Sequence, residues 1–181
     1  MRVPLENRIG EENKGWTYAK FLLANERVGN VDVAKIESYL AQVRRLLDET
    51  KEGGKALADD PLFQRRLAEL EVGLATVKAL MADQLAAART NGAPSLMGAA
   101  ALKLRGTELV QAILQTGLDA LGRHGMVYQS NALYAGWNGE LIGPEESADI
   151  IYEHLYRRAA TIYGGSSEVQ KNIIAKGALG L

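Results

Sequence analysis

Cysteine is absent from this chain of 181 residues. That excludes disulfides, thiolate catalysis and cysteine metal sites, and it fits a reducing compartment, so a cytoplasmic location is expected. Histidine is nearly absent too. His124 and His154 stand far apart, and no Glu-x-x-His pair occurs, so a di-iron helical bundle is excluded and no metal site is expected. Neither histidine is assigned a catalytic role. No apolar run approaches the roughly 20 residues needed to cross a bilayer, and the N-terminus has no signal-peptide pattern. The net charge is only −1, with no basic block, which argues against nucleic acid or an anionic membrane as the main partner.

What is present points to a folded helical domain. Hydrophobic residues make up 47% and charged residues 24%, so the chain is globular rather than disordered. The length suffices for one domain with a sizeable core. Residues 1–13 read as an extended lead-in, with Pro4 and Gly10 opposing helix. A long helix is expected from about Gly15 to Thr50, because Trp16, Ala19, Leu23, Val33, Ile36, Leu40, Val43 and Leu47 recur at helical spacing. Gly29 and Asn30 weaken it and mark a kink. A polar loop from Glu52 to Asp60 follows, and Asp59 or Asp60 caps a second helix that starts at Pro61 and reaches about Arg89. Leu67, Leu70, Leu74, Val77, Met81 and Leu85 are its inward residues.

Pro94-Ser95 opens a third helix over about Leu96–Leu121, with Met97, Ala101, Leu104, Val110, Ile113, Leu114 and Leu118 as its core face. A glycine-studded loop from Gly122 to Gly143 precedes a fourth helix, opened by Pro144-Glu145-Glu146 and ending near Ala160. A short last helix follows. No run of strands is expected and no internal repeat is evident. The fold class is therefore all-α: an up-and-down antiparallel four-helix bundle with an additional short C-terminal helix.

The most informative stretch runs from Thr161 to Lys176: Ile162-Tyr163-Gly164-Gly165-Ser166-Ser167-Glu168-Val169-Gln170 and then an apolar helix. Two glycines allow a sharp turn and close approach of a ligand to the main chain. Either serine can cap the helix that follows. Free N–H groups and the positive end of the helix dipole suit an anionic or polar cofactor group. On the residues alone, an ordinary loop-to-helix junction explains the same features.

The wording resembles the C-terminal signature of the acyl-CoA dehydrogenases, and in particular a bacterial subgroup reading Tyr-Gly-Gly-Thr/Ser-Ser-Glu. The resemblance runs from about Val3 to Leu181, weaker through the middle, and it implies that residues 14–181 form the C-terminal helical domain of that family. Residues 1–13 resemble the family's exit from a β domain, so the chain is expected to be a fragment or truncated product that begins there. The implied parent activity is FAD-dependent α,β-dehydrogenation of an acyl-CoA thioester, with electrons passed to an electron-transfer flavoprotein. A homo- or hetero-oligomer, dimer or tetramer, is implied as well.

In most of the family a glutamate in this signature removes the substrate's α-proton. Here that position is Gly164, which has no side chain. The resemblance offers Glu26 instead, because isovaleryl-CoA and long-chain acyl-CoA dehydrogenases carry their base on the first helix of this domain, in a step like Glu26-Arg27. Trp16, Phe21 and Leu23 are candidates for an apolar surround that raises its pKa. Without the resemblance, Glu26 reads as a solvated helix glutamate paired with a neighbour such as Lys20.

The resemblance gives Gly164 a backbone role, its N–H donating to the thioester carbonyl. Its missing side chain leaves room for a branched or bulky acyl group. Ser166 and Glu168 match flavin-contacting positions, and helix capping with first-turn charge accounts for both equally. The family's Gln-x-x-Gly-Gly-x-Gly appears as Asp119-Ala120-Leu121-Gly122-Arg123-His124-Gly125, which makes Asp119 and Gly122 the remaining flavin candidates. The family's Arg-x-x-Phe-Gly has no clear counterpart near Lys51–Lys55. Arg158 occupies the place of a subgroup arginine. The chain alone is expected to be inactive and to bind FAD weakly or not at all. The rivals are a non-catalytic partner subunit of a heteromeric acyl-CoA dehydrogenase and a stand-alone helical oligomerisation module.

Overall fold

The computed structural model describes residues 3–29 and 31–180; the side chains of Ala24, Asn25 and Arg27 lie outside the description. Among the described residues the fold is all-α: α1 (Gly15–Gly29), α2 (Val33–Glu49), α3 (Pro61–Asn91), α4 (Leu96–Leu121), α5 (Ser147–Tyr156) and α6 (Ser167–Leu179). The helix α4 packs against each of the other five. Its sequence explains that position. It buries residues on every side, from Ala99, Ala100 and Leu102 to Leu109, Ile113 and Leu114. Two glycines let its neighbours come close: a Cβ on Gly117 would lie 3.0 Å from Val43 and 3.2 Å from Ile150. The core thus runs along α4, with Ile36, Tyr39, Val43, Leu46 and Leu47 of α2 on one flank and Ile150 and Ile151 of α5 on another.

The expected first helix is two helices. Gly29 ends α1, and Asp32 caps α2 by accepting from the Lys35 N–H at 3.0 Å. Asn30, half of the expected kink, lies outside the described residues. Val31 is buried at 6% exposure and fills the space that Gly106 leaves open on α4, where a Cβ would come within 2.8 Å of it. The break is therefore pinned by packing as well as permitted by glycine.

The loop expected at 52–60 contains a small antiparallel hairpin, Lys51–Glu52 with Lys55–Ala56. Gly53 and Gly54 both take positive φ, 56° and 83°, the pair of angles a tight two-residue hairpin turn requires. Strands this short show no alternation, so the sequence reads as loop. Asp60, not Asp59, caps α3, accepting from the Leu62 N–H at 2.7 Å with Pro61 in the first turn. The fourth helix is shorter than expected: residues 144–146 form a turn, and Arg157–Thr161 tighten into a 3-10 helix. The expected core is also shifted in places. Trp16, Leu85 and Met97 are exposed, whereas Leu102 and Leu109 of α4 are buried. Ahead of α1, Leu5–Asn7 form one 3-10 turn, and the Tyr18 hydroxyl accepts from the Glu11 N–H at 2.9 Å.

Candidate functional site

The turn from Ile162 to Ser166 is built by its glycines. Gly164 and Gly165 take φ of 67° and 96°, a region that disfavours any residue with a Cβ. Ser166 then caps α6, its hydroxyl accepting from the Val169 N–H at 3.4 Å. The Glu168 carboxyl is held below the usual range, chiefly by its own backbone N–H and then by the Ser166 side chain.

Two fully buried polar side chains hold this turn from behind. Lys103, 1% exposed on α4, donates from Nζ to the Ala160 carbonyl at 3.0 Å and to the Gly165 carbonyl at 2.8 Å. These two carbonyls lie on either side of the turn, so one ammonium fixes both its entry and its exit. Gln170, 0% exposed on α6, donates from Nε2 to the Gly164 carbonyl at 3.2 Å and the Gly165 carbonyl at 3.0 Å. Burying such groups is costly unless partners replace water, and here main-chain carbonyls do so. The Gln170 Oε1 atom stays buried without a partner among the described residues.

In front of Lys103 a cavity of about 270 Å³ opens between the α1–α2 break, α4 and the 3-10 segment. Gly29, Tyr39, Lys103, Val110, Arg157 and Tyr163 are among the residues that line it. Tyr39 is 1% exposed. Burial pushes its phenol well above the ordinary value, with Glu153 adding to the shift and Arg157 opposing it. Arg157 donates from Nε to Glu153 at 2.9 Å and from Nη2 to the Tyr39 hydroxyl at 3.0 Å. Burial pulls its pKa down, but the bonds to Tyr39 and Glu153 outweigh that and hold it charged. A larger groove of about 590 Å³ lies between α3 and α4 around Gly73, Leu109 and Asp119. It has no contact with the glycine turn.

The expected site residues fall into three places. Gly164, Ser166 and Glu168 come together at the start of α6. Asp119 and Gly122 lie at the far end of α4, about 24 Å along the helix from Lys103 at ~1.5 Å per residue. Asp119 accepts from Arg66 at 2.5 Å and from Gln115 at 2.8 Å. Gly122 ends α4 with φ of 53°, facing open space. One copy of the chain therefore does not bring the two groups to one spot. Glu26 is exposed on α1. Gly29, one turn later, and Tyr163, next to Gly164, line the same cavity. Arg27, the partner in the Glu-Arg step, has its side chain outside the described residues. Among the described residues no group of three His, Cys, Asp or Glu side chains could hold a metal ion.

Comparison with known proteins gives the arrangement a family. The family described as "Acyl-CoA dehydrogenase, C-terminal domain" matches residues 13–179. This chain belongs to the acyl-CoA dehydrogenase family. Acyl-CoA dehydrogenase FadE26 of Mycobacterium tuberculosis is 33% identical across the whole chain, which covers 44% of that protein. The rat (Rattus norvegicus) mitochondrial long-chain specific acyl-CoA dehydrogenase is 26% identical over 97% of the chain, covering 37% of that protein. Among solved structures, the ChsE4-ChsE5 complex from Mycobacterium tuberculosis superposes with a TM-score of 0.76 at 32% identity, over 99% of this chain and 44% of that one. The chain thus spans less than half the length of these relatives, and it corresponds to their C-terminal helical domain.

Sequence reasoning on this acyl-CoA dehydrogenase domain missed Lys103, Gln170, Tyr39 and Arg157. Lys103 left a visible signal, a lone charge inside the apolar stretch Ala99–Leu104. Tyr39 left another, an aromatic on the core stripe three residues after Ile36, whose hydroxyl needs a partner when buried. Arg158 drew attention instead, yet it is exposed, and Arg157 enters the cavity wall.

Proposed function

We propose that this chain is the C-terminal domain of an FAD-dependent enzyme that converts acyl-CoA thioesters to 2,3-enoyl-CoA. The observation that carries the reading is the shared cavity: its lining joins the turn after Glu26 to the residue before Gly164. A thioester lying at that mouth meets two groups. The Glu26 carboxylate takes the α-proton, and the Gly164 N–H donates to the carbonyl oxygen as negative charge builds there. Lys103 and Gln170 keep that N–H aimed, because they fix the carbonyls around it.

Acyl-CoA dehydrogenases as a family use FAD, and the α6 end fits a flat polar ring. Its main chain turns through two positive-φ glycines, and the buried Gln170 Oε1 acceptor beside them lacks a donor among the described residues. Ser166 and Glu168 would hold the flavin of the same chain, and Asp119 and Gly122 that of a neighbouring subunit. A flavin held there would supply the acceptor for the β-hydrogen. The Tyr163-Gly164-Gly165-Ser166-Ser167-Glu168 wording supports assigning the domain to the bacterial subgroup with glycine at the position of the usual base.

Residues 1–13 are, in this reading, the lead-in from a β domain, and 14–181 are the helical domain. The exposed apolar side chains Trp16, Leu22 and Ile162 support it, since they are large apolar groups left facing water. Alone, the chain would bind FAD poorly and not turn over. The full enzyme would be a cytoplasmic oligomer that passes electrons to an electron-transfer flavoprotein. Among the described residues no helix is long and apolar enough to cross a membrane.

Glu26→Gln in the native enzyme tests the assignment: turnover should fall by about 10²–10⁴-fold with little change in melting temperature. A second reading, an inert subunit of a heteromer, draws on the exposure of Glu26 and on the ties that commit Asp119 to Arg66 and Gln115. Full activity in the Glu26→Gln enzyme would select it.

A further inference from the structure

The cavity has an unusual wall for a site that receives a hydrocarbon chain. Besides Val110 and Ile36 its lining includes Tyr39, Arg157, Lys35 and Lys103. The Lys35 Nζ lies 4.7 Å from the centre of the Tyr39 ring. The facing carboxylates are Asp32, which lines the cavity and caps α2, and Glu153, which is bonded to Arg157 behind the wall. With Glu26 placed at the mouth, three cations meet three carboxylates, so selectivity must come from donor geometry rather than from net charge.

Arg157 is the group best placed to supply that geometry. Glu153 and Tyr39 take one N–H each and leave the planar fork fixed in orientation. A guanidinium has five N–H donors. Its backbone carbonyl is also held, accepting from Gln111 at 2.9 Å. A plain alkyl tail pushed against this wall would strip water from the remaining donors and give nothing in return. A tail ending in an acceptor would pair with them, and a carboxylate pairs best because its two oxygens match the fork.

We propose that Arg157 makes this cavity selective for acyl groups whose far end carries a carboxylate. This rests on the acyl-CoA dehydrogenase reading, since it takes the thioester to lie at the cavity mouth between Gly29 and Tyr163. The phosphates of coenzyme A are an alternative source of negative charge. They sit a whole pantetheine arm from the reacting carbon, whereas the cavity begins beside the residues that flank it.

The test uses the native flavin-bearing enzyme with two thioesters of equal chain length, adipyl-CoA and hexanoyl-CoA, and with free coenzyme A. The wild type should favour adipyl-CoA in kcat/KM by about tenfold or more. Arg157→Met should abolish that preference, the loss falling mainly on adipyl-CoA. Arg157→Lys should keep part of it, because the charge remains and the fork is lost. Equal or better use of hexanoyl-CoA by the wild type, or an equal loss on both thioesters in Arg157→Met, overturns the proposal. So does an Arg157→Met enzyme that binds free coenzyme A as much more weakly as it binds adipyl-CoA.

Calorimetric titration of the wild type with the three ligands decides the case even if the variants do not fold. Tighter adipyl-CoA than hexanoyl-CoA binding supports the cavity assignment, and equal binding removes it. If neither thioester bleaches the flavin while adipyl-CoA still binds more tightly, the dehydrogenase reading fails and the cavity assignment stands.

Discussion

At the Lys103 end of α4, charge is buried against main chain; at the Asp119 end, charge meets charge near water. Lys103 is 1% exposed and holds two carbonyls of another segment. Asp119 and Arg66 keep 36% and 33% of their side-chain surface exposed and hold only each other's helices together. Coulomb attraction in water is weak, so the second arrangement stabilises little. The first is costly to build and leaves the turn few alternative shapes, which is what a site needs when it must aim an N–H at a reacting oxygen. The difference teaches where to look for function in this bundle: at polar groups buried in order to hold backbone.

The largest effect should come from breaking the buried end. Lys103→Met leaves the Ala160 carbonyl without its donor, at about 1–3 kcal/mol for the unsatisfied group, and leaves the Gly165 carbonyl to Gln170 alone. Activity of the native enzyme should fall further than stability does, and Lys103→Arg should recover only part. A stable Lys103→Met enzyme with unchanged kcat would show that the turn holds its shape unaided.

Next is Gly106→Ala, which puts a methyl group within 2.8 Å of Val31. Overpacking of this kind costs about 1–3 kcal/mol, or roughly 2–12 °C in melting temperature for a domain of this size. Because Val31 sits beside Gly29, substrate KM should rise with the destabilisation. Asp119→Ala, at the exposed end, should cost less than about 1 kcal/mol, and the cost should shrink further in high salt. A loss as large as that of Lys103→Met would erase the contrast between the two ends.

The smallest effect concerns pH. His154 on α5 is pushed below its ordinary value, first by burial and then by Arg158, with Asp119 opposing. The unfolded chain therefore takes up the proton first as pH falls. The stability contributed is full above the ordinary histidine value and is lost as pH falls through the depressed one. Denaturant melts at about pH 7.5 and about pH 5.5 should show a drop that His154→Gln removes.

The sequence made the helices legible wherever spacing and caps agree. Pro61 after Asp60, and Ser95 before Leu96, set the starts of α3 and α4 within a residue. It was less legible where packing decides. Nothing in the local pattern says that Val31 would be buried on Gly106, so one long helix was expected where two exist. The same holds for the site. Gly164, Ser166 and Glu168 are contiguous and were readable as a motif. Lys103, Tyr39 and Arg157 converge only through the packing of α4 against α2 and the segment after α5, and no local spacing encodes that.

The junction between α1 and α2 has a consequence for how this domain tolerates change. Each residue added to or removed from a helix rotates everything beyond it by about 100°. With Val31 seated on Gly106, one residue inserted in the last turn of α1, between Glu26 and Gly29, would swing the rest of α1 about its axis and carry Glu26 round to another side. The Gly53–Gly54 hairpin has no such duty and should accept added residues freely. Length should therefore be strictly kept in the last turn of α1 and loosely kept at the hairpin.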